Sequence, residues 1–405
     1  LSKEGKLSSA VVGILVLTVL YFCLDYYFRM SPGLVVIRLV AQYHTNAVGI
    51  GAFVSAFYLG YLLMQLPSGY LLDRYPVRLV LAVSITICSC AFMGFMNLHI
   101  YWLGLFLRFI TGLTSAFSFV SVLYIARVYL PLHYFSFISG VTIALGALTG
   151  SLAQVGAAAL MRYIHWHFVF ILFSSFGLLI AAVLLLPALS LPTVKSKIQK
   201  PFEVSSLLSQ TKILFRHPGF VLNGMIGGLF YLPTSILAAA WGVTLLRFNY
   251  HVTHTQASSG VMLLFLGWAL GSPAMSMLSE HFNKPGLLVC ISALFAAATS
   301  ILLIYFPAWV GGHVYGFMLL LGLLSSVQVV VWKLFSWLCP PELSGVGVGL
   351  TNMLIMFVGV VVHLVAGWSI HVGDLSVGLW IIPVAFSLAS ILVWLVPQNA
   401  SMQRL

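Results

Sequence analysis

The chain has 405 residues, of which 61% are hydrophobic and only 6% charged. So few charges could not cover the surface of a water-soluble fold, which excludes a soluble enzyme or binding module and makes lipid the solvent. A formal net charge of +11 would suggest nucleic acid in a soluble protein, but here its placement along the chain argues for membrane topology instead.

A bilayer core of roughly 30 Å needs about 20 apolar residues per helix. Segments of that length run over residues 9–37, 47–67, 79–97, 100–126, 136–160 and 168–190, then 219–245, 255–279, 285–306, 309–336, 345–370 and 376–396. They are apolar on every face, without the alternation of a barrel strand, so the fold class is all-α with twelve transmembrane helices. The first is too long for the apolar region of a signal peptide and is read as retained.

If the chain weaves alternately through the membrane, Lys3, Lys6, Arg74, Arg78, Arg127, Lys195, Lys197, Lys200, Lys212, Arg216, Lys284 and Arg404 share one side. Only Arg38, Arg162 and Arg247 fall on the other. Lys and Arg collect in cytoplasmic loops, so both termini are expected there. The compact loops and the position of the Asn399 sequon on that side fit a bacterial inner membrane. The polar stretch Leu191 to Pro218 divides the chain into six-helix halves, 1–190 and 219–405, joined by a cytoplasmic linker over 191–218.

In the first segment Asp25 and Arg29 stand one helical turn apart, on a face shared with Tyr21. A charged residue at a helix centre costs about 2.5–3.5 kcal/mol on insertion scales, so the two need mutual pairing or a wet cavity. Two readings stay open. In one they neutralise each other and fix packing; in the other Arg29 binds an anionic substrate group while Asp25 holds it or accepts a proton. Pro32 follows and should bend the helix.

Between the second and third segments, Gly69-Tyr-Leu-Leu-Asp73-Arg74-Tyr-Pro-Val-Arg78 puts three charges in a short turn. This stretch resembles the cytoplasmic signature of the major facilitator superfamily, matching at Gly69, Asp73, Arg74 and Arg78 and departing at Pro76 and Val77. The resemblance implies two six-helix bundles related by a pseudo-two-fold axis, no enzymatic activity, and a cytoplasmic gate in which Asp73 packs near the start of the eleventh helix. Ser276, Glu280-His281 and Lys284 after the eighth segment faintly echo the turn. Arg108 and Gly112 in the fourth resemble a second family motif, whose arginine is associated with proton transfer; Asp25 is its expected partner, and snorkelling is the alternative.

The fifth segment has Gly140, Gly146 and Gly150, read as close-packing positions. Ala147 after Gly146 departs from the Gly-Pro pair of drug antiporters, which lowers the case for efflux. In the second half Asn223, Tyr231, Gln328, Lys333 and Asn352 are the polar residues expected nearest a central cavity, with Pro233 a break in the seventh helix. The stretch Tyr26 to Pro32, with Gln328 and Gly349 to Met353, looks like a nutrient-uptake branch found in intracellular bacteria.

Cys23, Cys88, Cys90, Cys290 and Cys339 are odd in number and read as small buried hydrophobes. His44, His99, His165, His167, His251, His254, His313 and His371 fall at the outer side without acidic or thiol companions, so no metal is expected. The reading is an alternating-access carrier, acting as a monomer in the lipid bilayer on a small anion or zwitterion such as an amino acid, short peptide, organic acid or siderophore. No cofactor is expected beyond a proton as coupling ion, and no nucleic acid partner. Proton symport is preferred, with uniport and proton-driven efflux as alternatives; a membrane enzyme or a receptor fits less well because carboxylates are scarce.

Overall fold

The computed structural model describes residues 9–130, 135–189, 204–282, 284–340 and 343–397. Twelve helical spans are long and apolar enough to cross a bilayer: α1 Ser9–Leu34, α2 Ala47–Leu72, α3 Val77–Asn97, α4 Tyr101–Ala126, α5 Val141–Leu160, α6 Trp166–Leu184, α7 Pro218–Tyr250, α8 His254–Phe282, α9 Pro285–Tyr305, α10 Pro307–Leu338, α11 Val346–Val372 and α12 Leu375–Leu395. No strand occurs among the described residues. We call the end bearing the Arg74–Arg78 region inner and the opposite end outer.

Three boundaries differ from expectation, each for a backbone reason. The second helix does not stop near Pro67 but carries that proline inside Ala47–Arg74, since neighbouring helices in a membrane re-satisfy freed backbone groups. Gly69, Asp73 and Arg74 therefore ride on its last turns, and the turn proper is Tyr75-Pro76, where a residue before proline leaves the helical region. In α1 the α-helical part ends at Met30, and Ser31–Leu34 continues as a 3-10 turn with Pro32 near its start. Of the expected linker, Val204–Phe215 forms an α-helix, while 190–203 lie outside the described residues.

The two halves repeat one crossing. A Cβ on Gly60 of α2 would stand 2.2 Å from the Phe109 carbonyl oxygen of α4, and one on Gly112 of α4 would stand 1.9 Å from that of Phe57. In α8 and α10, Gly267 meets the Leu319 carbonyl oxygen at 2.0 Å and Gly322 that of Leu264 at 2.0 Å in the same test. Each pair lets two backbones touch where any side chain would separate them. Gly267 precedes Ser276 by nine residues as Gly60 precedes Gly69, so the glycine crossings and the faint echo of the charged turn share one register.

At the outer end the halves are closed on each other through glycine. A Cβ at Gly33 in the 3-10 turn would lie 2.4 Å from the Ala238 carbonyl oxygen in α7, and one at Gly51 of α2 would lie 2.4 Å from that of His363 in α11. A Cβ at Gly367 of α11 would lie 2.6 Å from the Ala47 carbonyl oxygen. Opposite Gly33, Pro233–Trp241 is π-helical; proline removes one donor there and the wider turn absorbs the break. The expected break at Pro233 is thus a bulge rather than an interruption.

Gly51→Val should oppose outer closure at a cost of about 1–3 kcal/mol of overpacking. Spin labels at the outer ends of α2 and α11 should then show a longer distance population than in the unsubstituted protein. An unchanged distance distribution would mean that the Gly51 contact does not set the closed state.

Candidate functional site

The inner-facing turns of α4 carry a row of hydroxyls, Thr111, Thr114, Ser115, Ser118 and Ser121, spaced three and four apart and all buried. That spacing gives one helix face, and it lies against α1. Tyr21 of α1 donates to the Thr114 carbonyl oxygen at 2.8 Å, one turn before Asp25. Asp25 is 0% exposed and Arg29 3%. Arg29 Nη2 donates to Asp25 Oδ2 at 2.9 Å, the one ion pair found among the described residues, and Ser118 Oγ donates to the same oxygen at 3.2 Å.

From the other half, Tyr231 of α7 offers its hydroxyl oxygen to Arg29 Nη1 at 3.2 Å. The guanidinium carbon lies 4.7 Å from the Tyr61 ring centre, 5.2 Å from Tyr26 and 5.5 Å from Phe57. Desolvated cation–π contacts of this kind contribute up to about 2 kcal/mol. Arg29 is thus gripped by a carboxylate, a phenol from the opposite half and aromatic faces, while its Nε makes no hydrogen bond.

Arg108 does not pair with Asp25, and it does not snorkel. Its two Nη atoms donate to the carbonyl oxygens of Phe28 at 2.8 Å and Arg29 at 3.0 Å, and its guanidinium carbon sits 4.5 Å from the Phe57 ring centre. The last carbonyls of a helix have no intrahelical partner and carry the negative end of its dipole. Pro32, lacking an N–H, leaves the Phe28 carbonyl without its helical donor, and Ser31 Oγ reaches that oxygen only at 3.3 Å. Arg108 fills that need and fixes the end of α1 beside the ion pair.

The other sequence candidates are spread out. Gln328, in a 3-10 turn of α10, donates to the Gly227 carbonyl oxygen at 3.0 Å, one turn before Tyr231; it braces α7 without touching Arg29. Asn223 donates to the Val331 carbonyl oxygen at 3.0 Å. Lys333 donates to the Ser279 carbonyl oxygen at 2.7 Å near the inner end of α8. Asn352 is half-buried, about two turns inward of Gly359, which faces Tyr58. Of the expected polar set, Tyr231 alone reaches Arg29.

Sequence reasoning missed Ser118, Tyr58, Tyr61 and His363. The hydroxyl row on α4 was a usable signal for Ser118. His363, fully buried in α11, stacks on Tyr58 with ring centres 5.4 Å apart, and Tyr58 meets the Tyr231 ring edge-on at 6.5 Å. Nothing in the apolar run around His363 marks it except being the one ionisable residue there.

At the inner end, Arg74 Nη1 donates to the Tyr70 hydroxyl at 2.7 Å and Arg78 Nη1 to the Leu186 carbonyl oxygen at 3.3 Å, both exposed. Arg78 thereby caps the end of α6. A Cβ on Gly69 would meet nothing within 4 Å. The side chain of Asp73 lies outside the described residues. On the outer side His165 and His167 stack at 5.1 Å, and among the described residues no three His, Cys, Asp or Glu side chains come together as metal ligands.

Breaking a buried pair by removing one partner costs about 3–5 kcal/mol, whereas replacing both with apolar groups is often close to neutral. Asp25→Leu and Arg29→Met should each lower the melting temperature in detergent sharply, and the double variant should recover most of the loss. Equal additive losses would contradict the pairing. Arg108→Met should cost about 1–3 kcal/mol, chiefly at the Arg29 carbonyl because Phe28 keeps Ser31 Oγ as a donor, read by the same melting curve; an unchanged melting temperature would show that the caps are dispensable.

The family model of the Major Facilitator Superfamily matches residues 17–363. Protein spinster homolog 1 of Xenopus tropicalis is 25% identical over 275 residues, a match that covers 64% of this chain and 51% of that protein; the chain thus spans about half the length of that relative. A probable galactarate/D-glucarate transporter, GarP of Escherichia coli K12, is 29% identical over 124 residues, 29% of this chain and 28% of that one. The crystal structure of a bacterial homologue of the human lysosomal transporter Spinster, inward-facing and unoccupied, superposes with a TM-score of 0.77 at 14% identity, over 96% of each chain. These relatives are transporters and not enzymes. With twelve spans, the repeated glycine crossing and a family match over most of its length, this multi-pass membrane protein belongs to the Major Facilitator Superfamily.

Proposed function

We propose that the protein is a secondary transporter that moves a small anionic or zwitterionic solute by alternating access, as proton-coupled uptake across a bacterial inner membrane with both termini inside. The observation that carries this reading is the charge count of the membrane interior. Among the described residues of the first half, Arg29 and Arg108 are both buried against one buried carboxylate, Asp25. The α1 carbonyls offset part of the Arg108 charge, and the remaining positive potential favours an anion. Arginine's planar fork suits a carboxylate or phosphate.

The halves meet at this point through Arg29 and Tyr231. A cargo carboxylate taking the place of the Tyr231 phenol would be held from the first half and released when the second swings away, as alternating access requires. The partial relationship to GarP, a probable transporter of galactarate and D-glucarate, supports an organic acid among the candidate classes. Ser118 beside Asp25 keeps one carboxylate oxygen in a polar setting where a proton could be taken up when cargo displaces Arg29.

The test is uptake into proteoliposomes with a panel of labelled dicarboxylates, amino acids and neutral sugars. Saturable accumulation of an anion or zwitterion, abolished in the folded Asp25→Leu/Arg29→Met double variant, supports the reading. Transport by that double variant at the original rate would reduce the pair to a packing device, and flux of neutral sugars alone would overturn the substrate class. Asp25→Asn should leave exchange of cargo intact while removing accumulation driven by an imposed proton gradient. Wild-type gradient dependence in that variant would exclude Asp25 as the proton site.

A further inference from the structure

We propose a second binding site, for a small oxyanion, in the outer seam between the halves, formed by Arg38, Arg247 and His254 and complete only when the outer end is closed. It goes beyond the central site and does not rest on the transport reading. A cavity of about 160 Å³ lies there, walled on one side by Leu34 to Arg38 and on the other by Val243, Thr244, Arg247 and His254. That is well above the ~10–15 Å³ one water needs. Arg38 sits on the short outer helix Val36–Gln42, Arg247 in the last turn of α7, and His254 opens α8.

His254 Nε2 lies 2.7 Å from the Leu34 carbonyl oxygen. A carbonyl only accepts, so Nε2 carries the proton and donates across the seam. Closure therefore brings two guanidiniums from opposite halves to one cavity, both exposed at its rim, with no ion-pair partner for either among the described residues. Partial burial, and after it the Arg247 charge, hold the Arg38 guanidinium below its ordinary pKa. Arg162 adds a third positive charge acting on His254. Asp374, the one described acid of the outer face, accepts from its own helix at Val377 N at 2.7 Å and lines the neighbouring cavity with Thr244.

Like charges drawn together by closure are relieved by an anion between them. Two arginine forks meeting in one cleft match the spread oxygens of a phosphate or carboxylate better than a spherical ion. A ligand that binds only the closed arrangement stabilises it by mass action. The same chemistry is offered by free oxyanion in the outer medium and by the phosphate of an outer-leaflet lipid.

The test uses the full chain in detergent with inorganic phosphate as probe at constant chloride and ionic strength, and spin labels across the outer seam. Phosphate should raise the melting temperature and narrow the outer distance distribution. Arg38→Gln and Arg247→Gln should each weaken that response at least tenfold, while Arg38→Lys, which keeps the charge, weakens it less. All variants should melt near the unsubstituted protein without phosphate, which separates lost binding from lost folding. If native mass spectrometry finds a phospholipid retained by the unsubstituted chain and lost from both Gln variants, the site stands with lipid as its source. A phosphate response identical in the two Gln variants, or no response with no difference in retained lipid, would overturn it.

Discussion

The structure turns on one ion pair held away from water. Moving a carboxylate or a guanidinium into a low-dielectric interior costs several kcal/mol per ion even after relaxation, and mutual attraction alone does not always recover it. Around Asp25 and Arg29 the recovery is spread over Ser118, Tyr231 and three aromatic faces. Hydrogen bonds to charged groups contribute about 1.5–3 kcal/mol each. Part of this support, the Tyr231 hydroxyl, comes from the opposite half and holds only while the halves are together. A charged group whose comfort depends on the relative position of two bundles is the physical requirement for coupling cargo to conformation.

The same short segment joins the pair to the outer gate. Gly33 lies four positions after Arg29, and in that distance α1 loses its α-helical pattern, exposes carbonyls that Arg108 claims, and presses against the π-helical part of α7. Tyr231 stands just before that π segment. Only a few residues thus lie between Arg29 and the seam. His363 ties α11 into the same region, stacking on Tyr58 while its carbonyl lies under Gly51.

Much of the architecture was legible because composition decides it: long all-apolar segments have no solution but spanning helices. The Asp25–Arg29 pair was legible for the same reason, as two charges with nowhere else to go. Arg108 was noticed but given the wrong partner, since its role depends on orphan main-chain carbonyls that no side-chain pattern reveals. The helix around Pro67 and the bulge after Pro233 show that proline in a membrane helix marks a perturbation without saying whether the helix stops. The spacing of Gly60, Gly112, Gly267 and Gly322 carries the internal repeat, yet with 35 glycines in the chain only the contacts single them out. Residues such as Gln328 and Asn352 were grouped by polarity, and packing separates them because the buried amides of Gln328 and Asn223 brace main-chain carbonyls of neighbouring helices.

Alternating access carries one requirement at the buried pair, that water reach it from each side in turn. It is tested most directly by placing one cysteine at position 118, beside Asp25, in a background lacking the five native cysteines, and labelling it with a small membrane-impermeant thiol reagent in right-side-out and inverted vesicles. Labelling is expected from both sides, slowed by cargo. A cysteine that reacts from one side only, or from neither, in protein that still transports would contradict it.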